Sequence, residues 1–306
     1  MGVRFTGWGI GLPDRILTND ELSLTLDTSD EWISERTGIR ERRIGGTTRS
    51  LGAEAARAAI ADAGLTPADI DFILLATTTP DRMAPATAAM IQSDIGATCA
   101  ALDINAACSG FMYGVRVAQG LIETGTRRVL LIGSEQLSGW VDWTDRRTAV
   151  LFGDGAGACV MEFSSETNDI ISSTLGCDGA AAEILSCHHN ATFTMDGQEV
   201  FRRAVRAVVE SSEDAMAKGG VSADDIALMI PHQANVRIIQ AMADRLSIPM
   251  DRAVITLDRY GNTSASSIPL SFDIARKEGR IKPGQYALLT GFGAGMTWAS
   301  SIIRWS

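Results

Sequence analysis

The chain repeats part of itself: LDINAACSG (Leu102 to Gly110) is followed by the similar stretch LDRYGNTSA (Leu257 to Ala265) at an offset of 155 residues. Two further pairs match in the same order, AIADAGLTPADI with AMAKGGVSADDI at an offset of 156, and LLIG with LLTG at an offset of 158. Because the offset changes so little along the chain, we interpret the matches as a duplicated half. A period of about 155 residues is far too long for a solenoid repeat.

The duplication predicts two domain-sized halves packed face to face, with a site between them. A chain of 306 residues is long enough for two domains of about 150 residues each. The polar stretch SSETND (Ser164 to Asp169) is the most linker-like segment between the matched regions. We therefore predict an N-terminal half over residues 1–165 and a C-terminal half over residues 166–306.

The composition is that of a globular protein and argues against several other classes. Hydrophobic residues make up 45% of the chain, and no apolar run reaches the ~18 residues that span a membrane. The net charge is −10 and no basic stripe carries interleaved aromatic residues, so we expect no nucleic-acid partner. The five cysteines form an odd set without a CxxC motif, which fits a reducing compartment. Because the N-terminus is too polar for a secretory signal and predicts a first strand and turn, we expect a cytoplasmic protein that does not bind membranes.

Alternating strand and helix patterns predict an α/β architecture. The continuous apolar run at 128–133 is typical of a strand covered on both faces. GDGAG (Gly153 to Gly157) lacks the spacing of a dinucleotide fingerprint and instead predicts a closely packed backbone. The predicted helices are 50–63, 108–123, 199–218, 235–246 and 264–279; the predicted strands are 72–77, 99–104, 128–133, 228–231, 253–257 and 286–290, with a strand or strand pair over 148–160.

Cys108 is a candidate nucleophile because it follows a predicted strand and the small-residue turn Asn105-Ala-Ala, at the first turn of a predicted helix. A helix N-terminus stabilises an anion by roughly 0.3 to 2 kcal/mol, which would lower the pKa of a thiol by at most about 1.5 units. A thiolate would then be accessible near neutral pH, and a nearby imidazole would add to the effect. The alternative is a buried cysteine acting as a small hydrophobic residue, the interpretation we prefer for Cys99, Cys159 and Cys177.

Two residues of the second half are candidates to act with Cys108. His232 follows the predicted strand 228–231, and active-site residues of α/β sheets collect at strand carboxyl ends; a capping or core histidine is the alternative. Asn262 lies in YGNTSASS, where ordinary turn chemistry is the alternative, but its turn corresponds to the Cys108 turn in the duplication. GFGAG (Gly291 to Gly295) follows the last predicted strand and brings backbone N–H groups close to a ligand, as an oxyanion hole or as a tight turn.

CHHN, with Cys187, His188 and His189, contains residue types that bind zinc. No second cluster supplies the remaining ligands that a zinc site needs. We therefore interpret this stretch as a polar loop and predict no metal site.

Five motifs of the chain resemble the β-ketoacyl-acyl-carrier-protein synthase III family of the thiolase superfamily: TSDEWISERTGIRERR, INAACSGF, PHQANVRI, YGNTSASS and GFGAGMTW. The similarity runs in order through essentially the whole chain. The set of Cys, His and Asn distinguishes this family from thiolases, which use a second cysteine, and from elongating synthases, which use two histidines. Chalcone synthase-like enzymes share the set but are usually much longer.

The resemblance implies a five-layer α-β-α-β-α thiolase-like fold made of two related halves, and a homodimer. It also implies an initiating condensing enzyme of fatty-acid biosynthesis. Cys108 would take an acyl group from acyl-CoA, and malonyl-acyl carrier protein would then lose CO2 and attack the acyl-enzyme to give 3-ketoacyl-acyl carrier protein. No cofactor would be bound permanently, since the CoA thioester is a substrate.

The same resemblance assigns a role to each of the candidate residues. His232, expected to be neutral, and Asn262 would stabilise the enolate formed on decarboxylation, and the N–H groups of Cys108 and Ala294 would hold the oxyanion of acyl transfer. The other implied contacts are Trp32 and Arg146 on either side of the CoA adenine, Arg36 at its phosphates, Gly197, Phe201, Ala234 and Asn235 along the pantetheine tunnel, Arg202, Gln233 and Arg237 for carrier-protein docking, and Ala84 beside the acyl pocket.

A local basic patch would reconcile a chain of net charge −10 with an acidic carrier protein. Two other functions stay open. One is a specialised-pathway acyltransferase or condensing enzyme of the same family, joining an acyl group to oxygen or nitrogen, although intact His232 and Asn262 argue against it. The other is a non-catalytic dimeric module that docks carrier protein, which labelling of Cys108 by iodoacetamide or acyl-CoA would exclude.

Overall fold

Two β-sheets of five and four strands form the framework of the molecule. The structure is a computed structural model that describes residues 2–188 and 191–306, and no helix within these residues is long and apolar enough to cross a membrane. The strands are β1 (Gly2–Gly11), β2 (Ile16–Thr18), β3 (Glu41–Arg43), β4 (Phe72–Ala76), β5 (Ala100–Ile104), β6 (Arg128–Glu135), β7 (Gly155–Ser164), β8 (Ile170–Cys177), β9 (Leu185–Ser186), β10 (Thr194–Met195), β11 (Ile226–Pro231), β12 (Tyr286–Gly293) and β13 (Thr297–Arg304). The helices are α1 (Asn19–Ser23), α2 (Asp30–Thr37), α3 (Thr48–Asp62), α4 (Thr87–Ile95), α5 (Gly110–Glu123), α6 (Arg146–Ala149), α7 (Gly197–Gly219), α8 (Val236–Leu246), α9 (Leu257–Tyr260) and α10 (Ser267–Lys277).

The helices and the two large sheets stack in five layers. α3 and α4 cover the outer face of the first sheet, and α7, packed with α8, covers the outer face of the second. α5 and α10 lie between the sheets and contact strands of both. Because these two helices are enclosed, they bury large side chains such as Phe111 and Phe272, and Trp8 of β1 stacks on Phe272 with ring centroids 4.3 Å apart.

The two large sheets repeat one strand order. The first runs β1-β7-β6-β4-β5 and the second runs β8-β13-β12-β11. β4 is parallel to β5 and β6, whereas β7 is antiparallel to both of its neighbours. In the second sheet β11 and β12 are parallel, and β13 is antiparallel to both of its neighbours. Each sheet draws its strands from one side of the predicted boundary, and the division at residues 165 and 166 stays a prediction.

The structure corrects the register of the duplication at the two turns that carry the candidate site. Asn105 Oδ1 accepts a hydrogen bond from the N–H of Ala107 at 3.0 Å, and Asn262 Oδ1 accepts one from Ser264 at 2.9 Å. Ala107 and Ser264 also share a positive φ, of 47° and 50°. Asn105 therefore corresponds to Asn262, an offset of 157 residues rather than 155. The sequence match is displaced because α9 has no counterpart between β5 and the Cys108 turn.

Several predicted elements differ from the structure. Residues 253–257 are not a strand, since Ala253 forms only an isolated bridge to Met229 and α9 begins at Leu257. Residues 148–160 hold the end of α6 and the start of β7 rather than a strand pair. β12 continues through Gly293, and β13 follows it. The other predicted helices and strands are present with shifted ends. The elements that were not predicted include α1, α2 and α4, the short strands β2, β3, β9 and β10, and the sheet strands β8 and β13.

β8 and β13 were not predicted because their sequences lack a continuous apolar run. Several of their buried side chains carry hydroxyl groups instead. Thr174 Oγ1 of β8 lies 2.6 Å from Ser211 Oγ of α7. Ser300 Oγ of β13 lies 3.2 Å from Ser212 Oγ on the same helix. Paired hydroxyl groups are tolerated in a covered sheet because each has a hydrogen-bond partner, but they weaken the hydrophobic pattern that marks a strand.

The GDGAG segment is closely packed, and this prediction is confirmed. A Cβ built on Gly157 would lie 2.6 Å from the backbone nitrogen of Leu270 in α10. A side chain at this position would therefore separate β7 from the central helix layer.

Candidate active site

A cavity of about 1390 Å³ is lined by residues from both predicted halves. Cys108 contributes to its wall from the first half, and His232 and Asn262 contribute from the second. His232 and Asn262 are buried, and Cys108 is partly exposed. A Cβ built on Gly291 would lie 3.5 Å from His232 Cβ and 3.8 Å from Cys108 O, so these two residues flank the same point of β12. The structure thus brings the three candidate residues together in one cavity.

Cys108 lies in a sharp turn built from small residues. The 3₁₀ turn Ala107–Ser109 connects β5 to α5. Ala107 has a φ of 47°, in the left-handed region of backbone conformation that residues other than glycine rarely adopt. The Asn105 side chain stabilises this geometry by accepting a hydrogen bond from the N–H of Ala107. Cys108 therefore lies two residues before Gly110, the first residue of α5.

The hairpin between β12 and β13 packs its backbone against the Cys108 turn. A Cβ on Gly293 would lie 2.6 Å from Cys108 N, so only glycine lets the two backbones come this close. Thr297 Oγ1 lies 2.8 Å from Ser109 Oγ, which holds the two segments together. GFGAG therefore does not follow the last strand: it is the end of β12 and the hairpin turn, where Ala294 lines the cavity.

Burial decides the ionisation of Cys108 in this cavity. Burial raises the pKa of the thiol to about 12, a hydrogen bond with Ser264 opposes this shift, and the charge of Glu135 reinforces it. The helix N-terminus offers at most about 1.5 units in the other direction. Burial and the helix terminus thus act on the thiol pKa in opposite directions, and the accessible thiolate stays a prediction.

His232 follows β11 with a neutral ring. Burial lowers its pKa to about 3, in agreement with the neutral imidazole expected from the sequence. Nδ1 lies 2.7 Å from Ser267 Oγ, and the ring meets Phe292 edge-on with centroids 5.4 Å apart. When the Ser267 hydroxyl donates to Nδ1, Nε2 carries the ring proton. His232 is then a hydrogen-bond donor for a ligand.

Asn262 is held by its own backbone and by the turn that follows. Its N–H donates to Leu151 O at 2.8 Å, and its carbonyl oxygen accepts from the N–H of Gly153 at 3.0 Å. Since its side-chain oxygen accepts from Ser264, Nδ2 is the donor that the side chain offers to a ligand. The side-chain amide of Asn262 can therefore fill both roles at once. Its Oδ1 stabilises the turn, and its Nδ2 remains available to a ligand in the predicted site.

Trp32 and two arginines line the outer part of the cavity. The guanidinium carbon of Arg36 lies 4.8 Å from the centre of the indole ring, and that of Arg146 lies 5.1 Å from it. Arg146 Nη1 also donates to Asp27 O at 2.6 Å. A flat ring between Trp32 and Arg146 needs a spacing of about 7 Å, twice a contact of about 3.5 Å. Arg146 must therefore move outward before an adenine can enter between them.

Most of the other predicted contact residues also lie on the cavity wall. Asn235 is the N-cap of α8, which begins one residue later than predicted, and its Nδ2 donates to Arg36 O at 3.1 Å. Phe201 is 38% exposed on the first turns of α7. The wall includes Gly197, Phe201, Ala234, Asn235 and Ala294.

Ala84 is the exception among the predicted pocket residues. It is exposed and does not line this cavity, whereas Met83 of the same loop does. Met83 is 89% exposed, so the loop extends away from the body of the chain. Ala84 therefore does not contact this cavity in the single chain, and its position beside an acyl pocket stays a prediction.

Of the three residues predicted to dock a carrier protein, two are on the surface. Arg202 is exposed and pairs with Glu199 at 2.7 Å. Arg237 is exposed, lines the cavity and donates to Glu35 O at 3.1 Å. Gln233 is 1% exposed, and both ends of its amide bind backbone groups within the second half. Its assignment to a docking surface is therefore wrong, because a buried side chain cannot contact a partner.

Glu135 is a site residue that the sequence reasoning missed. It ends β6 and is fully buried, and its charge acts on Cys108. Burial raises the pKa of its carboxyl group, and hydrogen bonds from Thr78, Thr79 and Ser264 oppose that shift. An acidic residue at the carboxyl end of a strand with the apolar run VLLIG, RVLLIGSE, was the available signal.

The CHHN stretch lies only partly within the described residues. Cys187 and His188 line the cavity, and His189 lies outside the described residues. Within residues 2–188 and 191–306, no group of three or more His, Cys, Asp or Glu side chains is placed to hold a metal ion.

The five-layer fold and a cavity with Cys108, His232 and Asn262 place the chain among the acyltransferases with a thiolase fold. Two family models match: 3-oxoacyl-[acyl-carrier-protein] synthase III over residues 102–179, and the C-terminal part of the same synthase over residues 216–305. The chain therefore belongs to the 3-oxoacyl-[acyl-carrier-protein] synthase III family, also called β-ketoacyl-[acyl-carrier-protein] synthase III.

Individual relatives agree over the full length of the chain. The β-ketoacyl-[acyl-carrier-protein] synthase III of Roseiflexus castenholzii is 49% identical and covers 98% of this chain and 97% of its own. The crystal structure of the Aquifex aeolicus synthase III has a TM-score of 0.98 at 44% identity, covering 99% of this chain and 100% of that one. The priming β-ketosynthase of the R1128 polyketide pathway has a TM-score of 0.95 at 34% identity, covering 99% and 96%. The predicted family, fold class and enzyme class are confirmed.

Proposed function

We propose that this chain joins an acyl-CoA primer to malonyl-acyl carrier protein, with loss of CO2, and so starts fatty-acid biosynthesis. The observation that carries the proposal is that Cys108, His232 and Asn262 line one cavity from two halves of the chain. A thiol attacks the acyl group, and two neutral donors are available for the charge that develops on decarboxylation. The reaction uses the CoA thioester as a substrate and needs no permanently bound cofactor.

In the acyl-transfer stage, Cys108 is the nucleophile. Its sulfur attacks the thioester carbonyl, and the N–H groups of Cys108 and Ala294 stabilise the resulting oxyanion. The close packing of Gly293 on Cys108 N supports this role, because it brings the β12–β13 hairpin against the nucleophile turn. Loss of one oxyanion donor typically costs about 3 to 4 kcal/mol of transition-state stabilisation.

In the condensation stage, His232 Nε2 and Asn262 Nδ2 donate to the carbonyl oxygen of the malonyl thioester. Both groups are neutral donors, which supports stabilisation of an enolate, and the low pKa of His232 keeps it so across the physiological range. Decarboxylation then leaves negative charge on the oxygen that both groups hold. The enolate carbon attacks the acyl-enzyme and releases the Cys108 sulfur.

CoA enters past Trp32, with its adenine between Trp32 and Arg146 once Arg146 has moved outward, and with Arg36 at its phosphates. A cation facing an indole ring contributes about 0.5 to 2 kcal/mol, which supports this as a binding site for a flat, polyanionic ligand. Gly197, Phe201, Ala234 and Asn235 border the pantetheine arm that leads inward to Cys108.

The acidic carrier protein docks at the cavity rim, on Arg202 and Arg237. Local cations allow such a partner to bind a chain of net charge −10. Arg202, Arg203 and Arg206 each pair with an acidic residue of α7, and Arg203 also pairs with Asp178, so we expect Arg237 to contribute most to docking. Removal of Arg237 is expected to raise the KM for the carrier protein more than the KM for acyl-CoA.

The chain acts as a homodimer in the cytoplasm. β5 ends the first sheet with one edge open to another chain, and Leu102 on it is 39% exposed. The five cysteines are free thiols, which suits a reducing compartment.

The test of the function is a two-step assay on the whole chain. Incubation with a panel of acyl-CoA thioesters should add one acyl group at Cys108, seen as an increase in intact mass, and Cys108→Ala should abolish it. Addition of malonyl-acyl carrier protein should then release CO2 and form a 3-ketoacyl product. Acylation without CO2 release would favour the specialised acyl transfer to oxygen or nitrogen, and no acylation with any thioester would favour a docking module.

A specialised role as a priming enzyme for another pathway is the second candidate. The observation that favours it is the likeness to the R1128 priming β-ketosynthase. The acyl-CoA panel separates the two roles, because the preferred primer is read directly from the mass of the acyl group.

A further inference from the structure

The ring of His232 contacts a buried hydroxyl, that of Ser267, which has no role in the function proposed above. Ser267 is the first residue of α10 and is 1% exposed. Its Oγ lies 2.7 Å from His232 Nδ1. Burial lowers the pKa of the ring to about 3, so the ring carries one proton, on either Nδ1 or Nε2. The position of that proton decides whether Nε2 can donate a hydrogen bond to a ligand.

A second contact of the Ser267 hydroxyl shows in which direction the hydrogen bond to the ring runs. The backbone N–H of Gln233 lies 3.4 Å from Ser267 Oγ, and an N–H group can only donate. If Nδ1 carried the ring proton, Ser267 Oγ would accept from both neighbours, and its own hydrogen would be buried without an acceptor. Such an arrangement is costly in a protein interior.

The surroundings of Ser267 offer its hydrogen no other acceptor. Within residues 2–188 and 191–306, the hydrogen bonds of this hydroxyl are those with His232 Nδ1 and Gln233 N. Ser267 also lies behind the wall of the cavity rather than on it. The hydroxyl hydrogen therefore points to Nδ1, and the ring proton lies on Nε2.

The Gln233 side chain anchors the backbone that carries this N–H group. Its Nε2 donates to Pro231 O at 2.8 Å and to Val254 O at 3.0 Å. Its Oε1 accepts from the N–H groups of Thr256 at 2.9 Å and Leu257 at 3.2 Å. Both donors and both acceptor positions of the amide are thus used. The buried glutamine next to His232 therefore holds the backbone in the position from which it donates to Ser267.

The orientation of the His232 ring leaves Nε2 for a ligand. Ser267 engages Nδ1, and Phe292 meets the ring at an interplanar angle of 74°. His232 lines the cavity, whereas Ser267 does not. The nitrogen that remains available to a molecule in the cavity is therefore Nε2.

We propose that Ser267 is a positioning residue of the condensation stage, whose hydroxyl donates to Nδ1 and so keeps the ring proton of His232 on Nε2. The inference rests on the function proposed above. In that stage the bond between the malonyl α-carbon and the carboxyl carbon breaks, CO2 leaves, and the electron pair forms an enolate with negative charge on the thioester oxygen. Nε2–H holds this oxygen by a hydrogen bond, and the ring keeps its proton. In the other tautomer, Nε2 would present a lone pair that repels the enolate oxygen.

The proposal separates the two stages of the reaction. In acylation the negative charge develops at the N–H groups of Cys108 and Ala294, so the tautomer of His232 has no direct effect on it. In condensation the charge develops at Nε2. Loss of the Ser267 hydroxyl should therefore slow the second stage and leave the first unchanged.

The first measurement is the tautomer itself, read by NMR on the whole chain labelled with 15N-histidine. The chain holds three histidines, and His232→Gln assigns the His232 signals by removing them. Protonated and unprotonated ring nitrogens differ widely in 15N shift, and Nε2 couples to both carbon-bound ring protons whereas Nδ1 couples mainly to one. The wild type should show a protonated Nε2 and an unprotonated Nδ1. The opposite pattern would overturn the proposal.

The second measurement compares the two stages in Ser267→Ala. Without the hydroxyl, Nδ1 loses its donor, and the ring proton is shared between the two nitrogens. CO2 release from malonyl-acyl carrier protein by the preformed acyl-enzyme should slow by about 10- to 100-fold, up to the loss typical of one missing donor. Acylation of Cys108, followed by intact mass, should keep the wild-type rate. Ser267→Thr retains a hydroxyl and should restore both CO2 release and the protonated Nε2.

Ser271→Ala is the matched control. Ser271 is fully buried one turn further along α10, and its Oγ lies 2.7 Å from Thr256 Oγ1. The substitution removes a hydroxyl pair of the same length from the same helix without a contact to His232. Both stages and the His232 spectrum should therefore match the wild type.

A merely structural role for Ser267 would slow acylation and CO2 release by the same factor, and this result would overturn the proposal, as would undiminished CO2 release in Ser267→Ala. If Ser267→Ala does not fold, the wild-type spectrum and Ser267→Thr still decide. Failure of the proposed function gives a different result: the wild type would form no acyl-enzyme or release no CO2, while the tautomer of His232 is read without any reaction.

Discussion

At the scale of single residues, the reactivity of Cys108 is set by two opposing effects of its position. The start of α5 favours a thiolate by at most about 1.5 pKa units, whereas burial raises the pKa of the thiol to about 12. Burial is the larger of the two effects and favours the neutral thiol. The thiolate is the reactive form of a cysteine, so a group that accepts the proton of Cys108 favours its attack on a thioester.

His232 should make the stability of the fold depend on pH in a defined window. Its pKa falls from 6.5 to about 3 on folding, so between these values the unfolded chain binds a proton that the folded chain does not. Stability therefore falls as pH falls through this window, by at most about 1.4 kcal/mol per pH unit from this group. The difference in urea midpoint between the wild type and His232→Gln should be largest above pH 6.5 and should shrink as the pH falls towards 3. A constant difference between pH 6.5 and 4 would contradict the assignment of a neutral buried ring.

The sequence predicts those site residues whose side-chain type indicates one specific chemistry. Cys108, His232 and Asn262 could be predicted to meet because each follows a strand or turn in the duplicated pattern, and strand ends of a sheet converge. Glu135 was missed because a glutamate at the end of a strand is an ordinary residue until the fold buries it. Gln233 was misassigned because adjacency to His232 in the chain does not reveal that its side chain turns inward to bind Val254 O.

At the scale of elements, the hairpin of β12 and β13 controls the geometry of the nucleophile turn. Gly293→Ala places a Cβ 2.6 Å from Cys108 N, closer than any contact that a folded backbone accepts. We expect the turn to shift and the acylation rate to fall at least about 100-fold, the typical loss for one misplaced oxyanion donor.

The measurement for Gly293→Ala is the rate of acyl-enzyme formation by intact mass. Gly120→Ala is the matched control, since a Cβ there meets nothing within 4 Å and a helical alanine is favoured over glycine. Unchanged acylation in Gly293→Ala would show that Cys108 N and the hairpin do not form one oxyanion site.

The elements that were hard to predict are those in which packing overrides local preference. Glycine has a low preference for strands, so GFGAG indicated a loop, yet β12 continues to Gly293 because its backbone packs on the Cys108 turn. Conversely, residues 253–257 have a strand-like sequence, but the chain leaves the sheet after Ala253 to begin α9. Long apolar strands such as β6 were predicted well, because burial on both faces requires the same residues that the pattern detects.

At the scale of the whole molecule, duplication explains why the site lies where it does. Two copies of one strand order pack with α5 and α10 between them, and the two equivalent turns, at Asn105 and Asn262, reach the same cavity. The copies have diverged in function, since one turn supplies the nucleophile and the other supplies an amide donor. The match in sequence predicted this architecture, but its register was wrong by two residues because only the fold shows where α9 was inserted.

The same architecture leaves β5 at the end of the first sheet, and a second copy of the chain should cover it. Leu102 on β5 is 39% exposed and Val117 on α5 is 42% exposed, and an open edge strand invites pairing with another strand. Leu102→Glu would place a charge at the centre of this contact, and we expect it to convert the dimer to a monomer. Light scattering coupled to gel filtration measures the change, against a chain mass of 32.6 kDa.

Leu175→Glu is the matched control, since Leu175 is 40% exposed on β8, the end strand of the second sheet. The Leu175→Glu chain should remain dimeric. A Leu102→Glu chain that stays dimeric, or a wild type that is monomeric at micromolar concentration, would show that β5 is not the interface.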